Sequence, residues 1–162
     1  MADLKLFSAT NEAAYATKAG FRFGAKGTHT SRTMMLEDLT AVLTATPADG
    51  KRADYAIAII EDNCLGKQTV STRKLSNQRM SELYALDPAV PLFRALRQLW
   101  EQDRAGRPLL ALLCAVARDP MLAATIPSVL GLAAGEEFRR DDMRFALRQA
   151  VGERLSDDIL DK

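Results

Sequence analysis

Of the residue types most used in acid–base and metal chemistry, this 162-residue chain has one histidine, two cysteines and twenty-one carboxylates. His29 stands two residues before Ser31, but no acid lies nearby to orient the ring, so a Ser–His couple lacks its third member. Ser31 reads instead as a helix cap. Cys64 and Cys114 have no partner at CxxC spacing and sit in apolar helical contexts, which predicts two small core residues of a reduced, cytoplasmic protein. The carboxylate pairs Glu61 and Asp62, Asp141 and Asp142, and Asp157 and Asp158 are neighbours in sequence, so on a helix each pair diverges by about 100° and forms no acid–base dyad. Zinc would need several ligands at helical or loop spacing, and none are assembled. The expectation is a protein that is not an enzyme and uses no cofactor, metal or small-molecule substrate.

Phosphate chemistry is the next test, because Gly66 and Lys67 stand together. A P-loop requires GxxxxGK followed by Ser or Thr, after a strand and before a helix. Here Gln68 follows the lysine, no glycine stands five positions before Gly66, and the preceding segment has a helical pattern. Gly20, Gly24 and Gly27 do not make GxGxxG either. Charge distribution is more informative. The net charge is only +1, so no global field demands a polyanionic or polycationic partner. Residues 13–36, however, contain Lys18, Arg22, Lys26 and Arg32 and no acid, and residues 63–81 contain Lys67, Arg73, Lys74 and Arg79, again with no acid. The segment from Glu136 onward carries eight acids against six basic residues. Lys and Arg neutralise phosphates while Ser, Thr, Asn and Gln donate shorter hydrogen bonds. Lys67, Thr69, Ser71, Thr72, Arg73, Lys74, Asn77 and Arg79 supply that mixture, with Gln78 beside them and Arg22, Lys26 and Arg32 as a second basic group. Arg94, Arg97, Arg104 and Arg107 are interleaved with Glu101 and Asp103 and read as surface ion pairs.

The elements that must position these residues are helical throughout. Composition, 48% hydrophobic and 27% charged, excludes a disordered or fibrous chain. Thr10 or Asn11 is expected to cap a first helix stopped at Gly20 with Phe21 as its following apolar contact. A second helix is expected from Ser31 with Met35, Leu36, Leu39, Val42 and Leu43 on one stripe, a third over 53–65 and a fourth over 71–86 with Leu75, Met80, Leu83 and Tyr84 inward. Asp87 and Pro88, then Asp119 and Pro120, read as cap and first-turn proline, and Pro127 as a helix breaker. The run 108–117 lacks a polar face, which predicts a central helix with Leu110, Leu113 and Cys114 enclosed; it spans only about half a bilayer. A last amphipathic helix after Gly135 is expected to turn Phe138, Met143, Phe145, Leu147 and Val151 inward, and residues 156–162 read as one further capped turn. The fold class is therefore all-α, with at most a minor β-hairpin, in one domain over 1–162; a finer division sets a basic module, 1–86, on a helical bundle, 87–162. The acidic and basic start of the chain has no apolar core of a secretory signal. Helix, Gly66 turn and helix make a helix-turn-helix-like element, although four residues rather than about six separate the glycine from the next buried aliphatic.

The ordered segments YAIAIIEDNCLGKQTVSTRK, LYALDP, PLFRALRQLW and RPLLALLCAVARDP resemble the BrxA family, small helical proteins encoded with bacterial phage-exclusion (BREX) systems. The likeness covers roughly residues 30–162 and includes Asn63, Gly66, Lys67, Thr69, Ser71, Thr72 and Arg73; the chain is short at its C-terminus for that family. It implies an all-helical accessory protein of phage defence that binds double-stranded DNA, with RNA as the alternative, works with other defence-system proteins and has no catalytic centre. The competing expectation is a helical protein–protein interaction module whose basic windows confer only solubility.

Overall fold

Apolar side chains at three- and four-residue spacing can be buried only if several helices close around them. The computed structural model, which describes residues 9–24 and 34–151, shows how. Helices α1 (Ala9–Ala19), α2 (Leu36–Ala45), α3 (Arg52–Ile60), α4 (Val70–Tyr84), α5 (Pro91–Gln102), α6 (Arg107–Arg118), α7 (Pro120–Leu130) and α8 (Arg140–Val151) follow one another, with no strand among the described residues. The protein is all-α.

The core is shared by α2 to α6. Leu39, Val42 and Leu43 of α2 meet Tyr55 and Ile59 of α3, Met80, Leu83 and Tyr84 of α4, and Phe93, Leu96 and Trp100 of α5. Tyr55 and Phe93 touch edge to face with centroids 5.1 Å apart, a favoured arrangement of ring quadrupoles. The Tyr84 hydroxyl donates to the Met34 carbonyl, which satisfies the one polar atom of a fully buried ring.

Gly20 ends α1 as its position in the sequence predicts. It takes φ +110°, its amide donates to Thr17 and that of Phe21 to Ala16, the paired closure of a Schellman turn. A Cβ here would also sit 2.4 Å from Val90 Cγ1, so glycine is required twice over. Thr10 and Asn11 lie within α1 rather than capping it.

Several other boundaries differ from expectation. The described part of α2 begins at Leu36, after Met35 in the left-handed conformation, and Ser31 lies outside the described residues. α3 stops at Ile60, not residue 65, because Asn63 turns left-handed and its side-chain oxygen takes the Lys67 amide. α4 begins at Val70, one residue before the expected start at 71, and Thr69 caps it by accepting from the Thr72 amide. Asp119 caps α7 through the amides of Met121 and Leu122, as expected. The Asp87 side chain, heading the same Asp-Pro pair, accepts from the Ala89 amide in a turn, and α5 starts later, at Pro91. Pro127 does not break α7; it sits in the last turns of a helix that runs on to Leu130.

Burial brings larger corrections. α6 turns Ala111, Cys114 and Ala115 inward, while Leu113 is 56% exposed, Leu109 is exposed and Leu110 is half-buried. Small side chains let α4 approach closely, and the Cys114 sulfur lies 3.9 Å from the Leu83 carbonyl oxygen. Leu75, Phe138 and Phe145 are exposed rather than inward-facing. Val151 belongs to the end of α8, and residues 156–162 lie outside the described residues. Arg97, expected in a surface ion pair, is only 9% exposed and donates to the Thr46 carbonyl as well as to Glu101.

Candidate nucleic-acid interface

Four basic residues in an acid-free window need not add their charges on one surface; the fold decides which remain available. Lys67 is taken first. Its Nζ lies 3.0 Å from Asp38 Oδ1, so an acid from α2, far away in sequence, enters the basic window. Arg73 is also engaged inward. Its Nη1 donates to the Ile60 carbonyl at 3.0 Å, capping the C-terminal end of α3, where cations are favoured. Each of these side chains, expected to contact phosphate, thus already has a partner within the protein. Thr69 and Thr72 are occupied with capping, their hydroxyls 2.8 Å apart.

The outward face of α4 keeps a different subset. Ser71, Lys74 and Gln78 are exposed and follow one another at three- and four-residue spacing, so they form one stripe, with exposed Leu75 beside it. Asn77 and Arg79 flank the stripe and are half-buried. The first acid along α4 is Glu82, in its last turn, where it accepts from Gln78 Nε2 at 3.2 Å. The first turn carries no acid, so nothing there offsets the positive end of the helix dipole. Helices α3 and α4 pack against each other, but residues 61–69 join them. That connection is longer than the roughly three- to four-residue turn of a standard helix-turn-helix.

The second basic group is separate. Arg22 is exposed, and its backbone amide donates to the Ala117 carbonyl at the end of α6. Lys26, Arg32 and His29 lie outside the described residues. Next to Arg22, Arg118 donates to the carbonyls of Gly20, Ser81 and Glu82 and so ties α1, α4 and α6 together; burial, with Arg22 adding to it, lowers its pKa. The sequence gives no signal for this clasp.

Among the described residues, no three His, Cys, Asp or Glu side chains converge to hold a metal ion. Burial raises the thiol pKa of both cysteines, that of Cys114 to about 12, which keeps them protonated and weakly nucleophilic at neutral pH. No family model, curated protein or solved structure matches the chain.

Proposed function

We propose that this chain is a non-enzymatic, DNA-binding accessory protein of a bacterial phage-defence system, and that it sets the outward face of α4 against the duplex. The observation carrying this reading is the exposed stripe Ser71, Lys74 and Gln78 on a helix free of acid until Glu82. Lys74 neutralises a phosphate, Ser71 donates to the backbone beside it, and the Gln78 amide, on leaving the Glu82 carboxylate, has the donor–acceptor pair that can read adenine in the major groove. The open first turn of α4 favours an anion in the same direction. Lys67 and Arg73 support the interface indirectly, by fixing the turn that aims α4. The resemblance of segments 55–74, 83–88, 91–100 and 107–120 to a phage-exclusion family agrees with this reading and supplies its biological setting.

The test is binding of a labelled DNA duplex followed by fluorescence anisotropy from low to moderate salt. Wild type should bind with log K falling linearly against log salt, and Lys74→Ala should lower the magnitude of that slope by about 0.9. Gln78→Ala should weaken binding with the slope unchanged. Arg73→Ala should instead lower the melting temperature, since it removes a cap on α3. Absence of salt-dependent binding by wild type, or an identical slope in Lys74→Ala, would overturn the proposal. Tighter binding to duplex RNA than to DNA would overturn the choice of DNA.

A further inference from the structure

Lys67 and Arg73 are both engaged within the protein, but not on equal terms. Arg73 donates to the Ile60 carbonyl and closes the end of α3, so moving it would uncap a helix. Lys67 holds a side chain instead. Its Nζ lies 3.0 Å from Asp38 Oδ1, and the two side chains are 27% and 20% exposed. An ion pair this open to water contributes little to stability, so another anion can compete for the lysine. Asp38 does not depend on its partner either. It stands in the first turn of α2 beside Glu37, where the helix dipole favours negative charge. The Lys67 amide is held separately by Asn63 Oδ1, so the turn keeps its shape while the flexible stem of the lysine swings. The residues that follow, Gln68 to Thr72, are all exposed and lead into the acid-free first turn of α4.

We infer that Asp38 is an internal competitor for the α4 interface: it holds Lys67 until a backbone phosphate of the duplex takes the ammonium, and so limits how tightly the duplex is bound. This rests on α4 being the face set against DNA. The lysine head is a compact charge that moves from one oxygen anion to another, so the exchange strands no buried donor. Phosphate has the advantage in this competition, because its neutralisation releases condensed counterions and that of a carboxylate does not. The exchange adds a basic contact beside Lys74. It also leaves the Asp38 charge unpaired at the edge of the interface, where it opposes any polyanion. Binding is therefore weaker than the basic residues alone would make it.

Anisotropy of a labelled DNA duplex with the full chain, across a salt series, tests this with Asp38→Asn, Lys67→Ala and the double variant. Asp38→Asn should tighten binding roughly fivefold, the scale of a surface ion pair. Lys67→Ala should weaken binding and lower the magnitude of the salt slope by about 0.9, and Lys67→Arg should restore the slope. Without Lys67, most of the gain from Asp38→Asn should vanish. Reductive methylation read by mass spectrometry follows the amine directly. It should label Lys67 more slowly than exposed Lys74 in wild type and as fast as Lys74 in Asp38→Asn, where added duplex should then protect it. Thermal melts accompany each variant, and Lys67→Gln, which keeps most of the stem, replaces Lys67→Ala if alanine loosens the turn. Three results overturn the inference while leaving α4 as the DNA-contacting face: a slope indifferent to Lys67, an equal gain from Asp38→Asn with and without Lys67, or a Lys67 still reactive under duplex. Absence of salt-dependent binding in wild type and in Asp38→Asn alike overturns the α4 interface and this inference together.

Discussion

Arg118 shows how one side chain can join segments that sequence keeps apart. It lies near the end of α6, and its fork donates at 2.6 Å to Gly20 and at 2.8 and 3.2 Å to Glu82 and Ser81. The last two carbonyls belong to the final turn of α4, where a cation also meets the negative end of the dipole. Lysine carries the charge but not the planar fork. Arg118→Lys should therefore free α1, which limited proteolysis would detect as early cleavage between α1 and α2, and Arg118→Ala should cost about 2 kcal/mol or more in denaturant melts. The buried acids set a pH limit. Desolvation raises the Cys114 thiol to about 12 and pushes the Tyr84 and Tyr55 phenols above their usual range. With the folded pKa above the unfolded one, the folded state holds its protons more tightly, so stability is full below about pH 9 and falls as pH rises toward 12. Urea midpoints should decline over that window, and Cys114→Ala should flatten the decline without abolishing it.

At the scale of the element, α6 separates what periodicity can tell from what it cannot. A helix apolar all round has no phase in its pattern, so the existence of α6 is legible and its buried side is not. Packing chooses the small residues Ala111, Cys114 and Ala115 and leaves Leu113 outside. Leu113→Ala should accordingly cost less than about 1 kcal/mol, whereas Phe93→Ala, in the centre of the core, should cost about 3–5 kcal/mol. Equal losses in the two variants would reverse this assignment. The two Asp-Pro pairs make the same point about local signals. Asp119 caps a helix and Asp87 a turn, because α5 finds its own starting proline at Pro91. At the candidate interface, the exposure of Lys74 was legible because an outward residue in a helix answers to local sequence alone. The ion pair of Lys67 was not, since Asp38 lies 29 positions away and meets it only through the packing of α2 beside the α3–α4 turn.

At the scale of the whole molecule, burial is unevenly shared. Every buried hydrophobic among the described residues lies between Met35 and Ala115, and α7 and α8 contribute none. Apolar burial is the main term holding a helix in place, so the α7–α8 pair should open at lower free energy than the body it leans on. That gradient bears on the candidate interface. The α4 stripe stands on the stable part, packed against α3 and α6, where a reading helix keeps a fixed aim. Native-state hydrogen exchange at graded denaturant should show α8 and α7 amides exchanging together, before those of α3 to α6. Uniform exchange across α3 to α8 would mean that the C-terminal pair folds and unfolds with the body.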